Sequence, residues 1–167
     1  FAAHDFGNGQ TWGSLIFAFV AFSLCASSVY IANDLLDLES DRLHPRKRSR
    51  PFASGIVPAW VGVLIAPLLL IISLGVAALV GQQFLSWLIF YFALTCAYSW
   101  VLKRLMLIDC LTLALLYTLR IIAGAAAVGH DLSFWLLAFS VFLFLSLAFV
   151  KRYAELEVQL LSGNEKI

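Results

Sequence analysis

Apolar residues fill five stretches of this chain, at roughly 12–41, 57–80, 84–103, 106–128 and 133–152, and polar residues collect in the short connections between them. Crossing a bilayer core about 30 Å thick takes about 20 residues of helix, so each stretch is long enough to span. The expected fold is an all-α, multi-span transmembrane helical bundle, a single domain over residues 1–167 with no internal repeat. The connections alternate in character. His4-Asp5, Gly81-Gln82-Gln83 and Gly129-His130-Asp131 carry no Lys or Arg, whereas Arg42 to Arg50, Lys103-Arg104 and Lys151-Arg152 are basic. The positive-inside rule puts the basic set in the cytoplasm, and the parity of five spans agrees. Trp12, Trp60, Trp87, Trp100 and Trp135 fall near predicted helix ends, where indole rings anchor at headgroup level. Pro67 is expected to bend the second span. The small residues Ala123 to Ala127 let another helix approach closely.

Composition supports this reading. The chain is 62% hydrophobic and 13% charged, with a mean hydropathy of +0.94. Those values belong to integral membrane proteins, and five apolar runs are too many for one signal peptide. The polar stretches beginning at Phe1 and ending at Ile167 read as loop, so a fragment of a longer membrane domain is expected. Cys25, Cys96 and Cys110 all lie in apolar segments without metal-ligand spacing, which predicts free thiols. A formal net charge of +1 says little, because the distribution carries the information.

That distribution is uneven. Four of the ten acidic residues and five of the eleven basic ones lie between Asp34 and Arg50. The first span, about 30 residues and hence about 45 Å long, exceeds the bilayer, so its last turns project into the headgroup zone. At about 100° per residue, Asn33, Asp37, Asp41 and Asp34 share one quadrant of that helix end, while Glu39 points away. Carboxylates on one face repel each other unless a cation sits among them, and hard oxygen donors suit magnesium shared with a substrate phosphate. Acids at a helix C-terminus also oppose the dipole, which disfavours a merely solvated end. The following loop holds Arg46, Lys47, Arg48 and Arg50 between Pro45 and Pro51. It can set topology, touch anionic lipid, or neutralise diphosphate oxygens beside the metal.

A second polar group gathers at the same predicted face. Tyr98, Lys103 and Arg104 close the third span and Asp109 opens the fourth. Lys103 or Arg104 can hold phosphate, and Asp109 can complete a second metal site. Arg120 lies 11 residues beyond Asp109, about 16 Å deeper and on nearly the same helix face. An arginine near the bilayer middle costs about 3 kcal/mol, so Arg120 is expected to face the bundle interior or a wet cavity and to have a partner, either lining the lower wall of a substrate pocket or making a structural polar contact. Lys151 and Arg152 end the fifth span, as a cytoplasmic anchor or as part of a phosphate-binding rim.

The run Asn33-Asp34-x-x-Asp37-x-x-x-Asp41, continuing Arg42-x-His44-Pro45-x-Lys47-Arg48-x-Arg50-Pro51-x-x-x-Gly55, resembles the first signature of the UbiA superfamily of intramembrane prenyltransferases. Tyr98-Ser99-x-x-Leu102-Lys103 with Asp109, then Arg120-x-x-Ala123-Gly124, then Lys151-Arg152-x-x-Glu155-Leu156, resemble its phosphoribosyl-transferring branch. The resemblance implies a nine-helix bundle with a cavity open to cytoplasm and lipid, of which this chain holds five spans. It maps Asn33, Asp34, Asp37 and Asp41 onto the first metal motif, and Lys103 and Asp109 onto the second conserved stretch. The second Asp-x-x-x-Asp motif of other members is not matched, since position 113 is Leu113.

The implied activity is magnesium-dependent displacement of pyrophosphate, with Asp37, Asp41, Lys103 and Asp109 as the catalytic set. The preferred version moves phosphoribose from 5-phosphoribosyl 1-diphosphate onto a polyprenyl phosphate. The alternative moves a prenyl group from a prenyl diphosphate onto an aromatic acceptor. A transporter or membrane scaffold is disfavoured, because transporters place binding groups near the midplane and these acids lie at one face. Expected partners are a membrane lipid and a diphosphate substrate, with no nucleic acid. The expected location is a bacterial inner membrane, with the site facing the cytoplasm.

Overall fold

The computed structural model describes residues 9–100, 106–129 and 132–164. Helix α1 (Gly9–Leu36) leads through Asp37 into the short α2 (Leu38–Leu43), and one 3-10 turn, Lys47–Ser49, follows. Helices α3 (Ala59–Val80), α4 (Gln82–Trp100), α5 (Met106–Val128) and α6 (Phe134–Asn164) complete the chain. All the regular structure among the described residues is helical, as a bilayer requires, because lipid supplies no partner for an open backbone N–H or C=O.

Four of these helices hold segments long and apolar enough to cross a membrane: Thr11–Leu36, Ala59–Val80, Ile108–Val128 and Phe134–Ala154. Their outer faces are exposed and greasy, with Phe19, Leu64, Ile71 and Phe142 all turned away from the bundle. The protein is therefore an integral, multi-pass membrane protein. The segment expected at 84–103 is helical over Gln82–Trp100, but α4 is only 19 residues as described and includes Gln82, Gln83, Ser86, Thr95 and Ser99. Its apolar residues serve the core, where Phe84, Leu88 and Tyr91 are buried. The last helix runs well past the expected end at 152, to Asn164. Helix α3 stays continuous through Pro67.

Helix α1 packs most extensively against α3. The seam is built from small residues: Ala21, Cys25 and Ser28 on α1, and Gly62, Ala66, Ser73 and Ala77 on α3 are all buried. Small side chains let the backbones come close, and hydroxyls then reach across. Ser28 Oγ donates to the carbonyl of Ala66, and Ser73 Oγ to that of Ala21, each at 2.7 Å. Ala123 and Ala127 of α5 join the same core, as the small-residue patch predicted. All three cysteines are free thiols, also as expected. Trp12, Trp60 and Trp135 are exposed, whereas Trp87 packs against the core.

This seam makes a stability prediction. Ser73→Ala removes one interhelical bond and should cost about 0.6 kcal/mol. Ser73→Leu should cost more, about 1–3 kcal/mol, through overpacking. Denaturation by SDS followed by circular dichroism measures both; an equal effect of the two changes would contradict close packing at this seam.

Candidate active site

The site is built where α1 ends. At Asp37 the backbone leaves ideal helix (φ −90°, ψ 5°), yet the hydrogen bonds Asp37 N to Asn33 O (2.9 Å) and Asp41 N to Asp37 O (2.8 Å) carry the helical connection across. The expected span of 12–41 is therefore two helices in near continuity. The loop that follows is a chain of tight turns. The backbone N–H groups of Arg48, Arg50, Ser54 and Val57 donate to the carbonyls of His44, Lys47, Arg50 and Pro51. Gly55 takes φ +81°, a left-handed conformation that side chains strain. At Gly62 an added Cβ would lie 2.9 Å from the Phe52 ring and 3.1 Å from Leu35, so the absent side chain seats the loop on α3 and α1.

This folding turns Arg50 inward. One nitrogen, Nη1, donates to Asp34 Oδ1 at 3.0 Å and to Asp41 Oδ2 at 2.7 Å. The Asp41 side chain is only 2% exposed, and Lys47 Nζ stands 3.8 Å from its other oxygen. That oxygen, Oδ1, is buried and has no hydrogen-bond donor among the described residues. A buried carboxylate is tolerated only when paired, so Arg50 holds the acidic end together. Arg46 and Arg48 are exposed on the outer side of the loop.

The structure thus joins Asp34 and Asp41 through Arg50 and turns Asn33 elsewhere. Asn33 lines a cavity of about 100 Å³ together with Tyr98 and Ser99 of α4 and Arg120 of α5. Tyr98 donates its hydroxyl to Asp109 Oδ1 at 2.7 Å, so the second polar group is tied to that cavity's wall. One member of each polar group, Asn33 of the first and Tyr98 of the second, therefore borders a common space. Lys103 and Arg104 lie outside the described residues. Lys151 and Arg152 lie on α6, whose packing partner is α5.

Arg120 sits deeper. Its Nη2 donates to the Tyr91 hydroxyl at 2.9 Å, and its guanidinium carbon lies 5.5 Å from the Tyr91 ring centre and 5.3 Å from that of Tyr117. Arg120, Tyr30 and Ala26 also border a larger, mostly apolar cavity of about 410 Å³ walled by Leu15, Phe19, Phe22 and Phe84. Sequence reasoning required a partner for Arg120 but did not find Tyr91 or Tyr117. Nothing in their spacing marks them, and a tyrosine in a greasy helix reads as packing.

The oxygen-rich set Asn33, Asp34, Asp37 and Asp41 suits a hard divalent cation in donor chemistry, and Asp41 Oδ1, with Lys47 Nζ 3.8 Å away, is a buried oxygen that no hydrogen bond among the described residues satisfies. Among the described residues, no three His, Cys, Asp or Glu side chains are gathered closely enough to hold a metal ion. Asp109 accepts from Tyr98 at the wall of the smaller cavity.

Residues 2–162 match the UbiA prenyltransferase family, and the chain belongs to it. It is 40% identical over 141 residues to the decaprenyl-phosphate phosphoribosyltransferase of Mycobacterium tuberculosis, covering 84% of this chain and 47% of that protein. Against the enzyme of the same name from Corynebacterium glutamicum the figures are 36% over 151 residues, 89% and 46%. An uncharacterized protein of Sinorhizobium fredii is 45% identical over 139 residues, covering 83% of this chain and 27% of that one. The chain thus spans less than half the length of these relatives.

Two changes test the local electrostatics. Arg50→Ala leaves Asp41 buried without its closest partner; because Arg50 is itself partly exposed, about 2–3 kcal/mol of stability should be lost, with Arg50→Lys recovering part of it. Tyr98→Phe strips the donor from a buried carboxylate and should lower stability by about 1–3 kcal/mol. Unfolding midpoints that stay at the wild-type value in either variant would remove that interaction from the account.

Proposed function

We propose that this chain carries the diphosphate-handling region of a membrane-embedded transferase, moving a phosphoribosyl group from 5-phosphoribosyl 1-diphosphate to a polyprenyl phosphate. The observation that carries this reading is the shared cavity, bordered by Asn33 from the acidic helix end and by Tyr98 from the stretch that binds Asp109. Likeness to phosphoribosyltransferases over more than four-fifths of the chain supports the same choice of substrates.

The chemistry asked of these residues is modest. The bond from the sugar carbon to diphosphate breaks, and an anionic phosphate oxygen of the acceptor forms the new one, so no base need remove a proton. Positive charge must meet the departing diphosphate. Lys47 and Arg50, already against the acids, can shift onto it, and Arg46, Arg48, Lys103 and Arg104 extend the basic rim. Asn33, Asp34, Asp37 and Asp41 would hold magnesium, which when bound supplies charge neutralisation to the diphosphate. Tyr98 fixes Asp109 toward the same space, while Lys151 and Arg152 complete the rim from α6. The greasy walls limit water, so that transfer wins over hydrolysis. The reaction would take place at the cytoplasmic face of a bacterial inner membrane.

The test is direct. Membranes containing the protein should label lipid from phosphoribosyl diphosphate plus polyprenyl phosphate, and chelator or Asp37→Ala should lower that rate by about 100-fold or more, as loss of a principal charge-stabilising group does. Labelled product formed only from prenyl diphosphate and an aromatic acid would instead select prenyl transfer. Full activity in chelator would remove the metal.

A further inference from the structure

A second cation in this bundle has a different environment from Arg50. Arg120 lies within the span Ile108–Val128, where a charge is costly. Such arginines ordinarily pair with a carboxylate. Among the described residues Arg120 has no ion pair; its contacts are the hydroxyl and ring face of Tyr91 and the ring face of Tyr117. Aromatic faces steady a guanidinium without cancelling its charge. The head is thereby held at the boundary of two cavities, each of which it lines. One is also lined by Asn33, the first residue of the acidic motif, and by Tyr98. The other is walled mainly by Leu15, Ala18, Phe19, Phe22 and Phe84, with exposed Phe19 on the lipid side.

We propose that Arg120 is an anion receptor inside the membrane, clamped by Tyr91 and Tyr117, and that its ligand is a phosphate group carried next to an apolar chain. The inference deepens the transferase reading and rests on it for the choice of phosphate. Two substrates of that reaction carry phosphate: the lipid acceptor and the soluble diphosphate donor. Apolar walls on one side and a fixed uncancelled cation on the other favour the lipid phosphate, because water is scarce there and charge-assisted bonds are strong. Tyr91 is then a positioning residue. Its hydroxyl occupies one guanidinium nitrogen and orients the remaining N–H groups toward the cavities.

The experiment measures binding, not turnover, with the protein in lipid nanodiscs and three probes: polyprenyl phosphate, the matching uncharged polyprenol, and phosphoribosyl diphosphate. Wild type should prefer polyprenyl phosphate over polyprenol by at least about tenfold, the scale of a charge-assisted contact. Arg120→Met should abolish that preference, Arg120→Lys should restore part of it, and Tyr91→Phe should reduce it severalfold while polyprenol binding stays constant. A purely packing role for Tyr91 would not move that ratio. Loss of phosphoribosyl diphosphate binding alone in Arg120→Met would assign the receptor to the soluble phosphate. Unchanged affinity for both phosphates would overturn the proposal. If Arg120→Met does not fold, an unchanged ratio in both Arg120→Lys and Tyr91→Phe overturns it equally. Preferential binding of polyprenyl phosphate without any phosphoribosyl transfer would sink the assigned reaction and leave the receptor standing.

Discussion

Arg50 meets Asp34 and Asp41 through a single guanidinium nitrogen, and much of the polar end of this protein follows from that contact. Asp41 is almost fully buried beside a membrane helix, a position in which a carboxylate cannot remain charged alone. Its partner has to come from the loop that follows, and the loop must be shaped to deliver it. The turns between His44 and Val57, the left-handed Gly55 and the Phe52 ring against Gly62 all act to bring Arg50 under the helix end. The ion pair thus joins helix, loop and α3 into one surface.

The bundle accommodates a second cation in another manner. At Arg120 the neighbours are aromatic, so the charge is held but not cancelled. At Arg50 the neighbours are carboxylates, and the net charge there is small. Among the described residues the polar end is thus compensated while the deep cation has no carboxylate partner, and about three turns of α5 separate Asp109 from Arg120. Asn33 and Arg120 border one cavity.

Packing in the apolar layer serves this arrangement by bringing α1 and α3 close. Hydrophobic burial gives little drive between helices already in lipid, so small residues and buried serine hydroxyls set the α1–α3 distance. A closer α3 puts Gly62 where Phe52 needs a flat surface. Structural demands at the seam and chemical demands at the loop are in this way met by the same helix.

How much was legible follows from range. The apolar runs, the helical backbone of the acidic end, the small-residue patch of α5 and the link of Tyr98 to Asp109's neighbourhood were all readable, because each depends on helical periodicity or on sequence separations of a few turns. The helical extent of α6 to Asn164 was not, since its polar tail leaves the membrane pattern while keeping helical backbone. Nor was the division of labour among the basic residues. Arg46, Lys47, Arg48 and Arg50 look alike in a row, and only the turn geometry sends Arg50 inward while Arg46 and Arg48 stay in solvent. The aromatic clamp on Arg120 joins residues 29 positions apart on different helices, and no local pattern encodes that. Local periodicity is written residue by residue along the chain, so membrane class, helix positions and the oxygen-rich motif could be read directly. Which cation is cancelled and which is left bare depends on groups meeting across helices, and that was settled by packing.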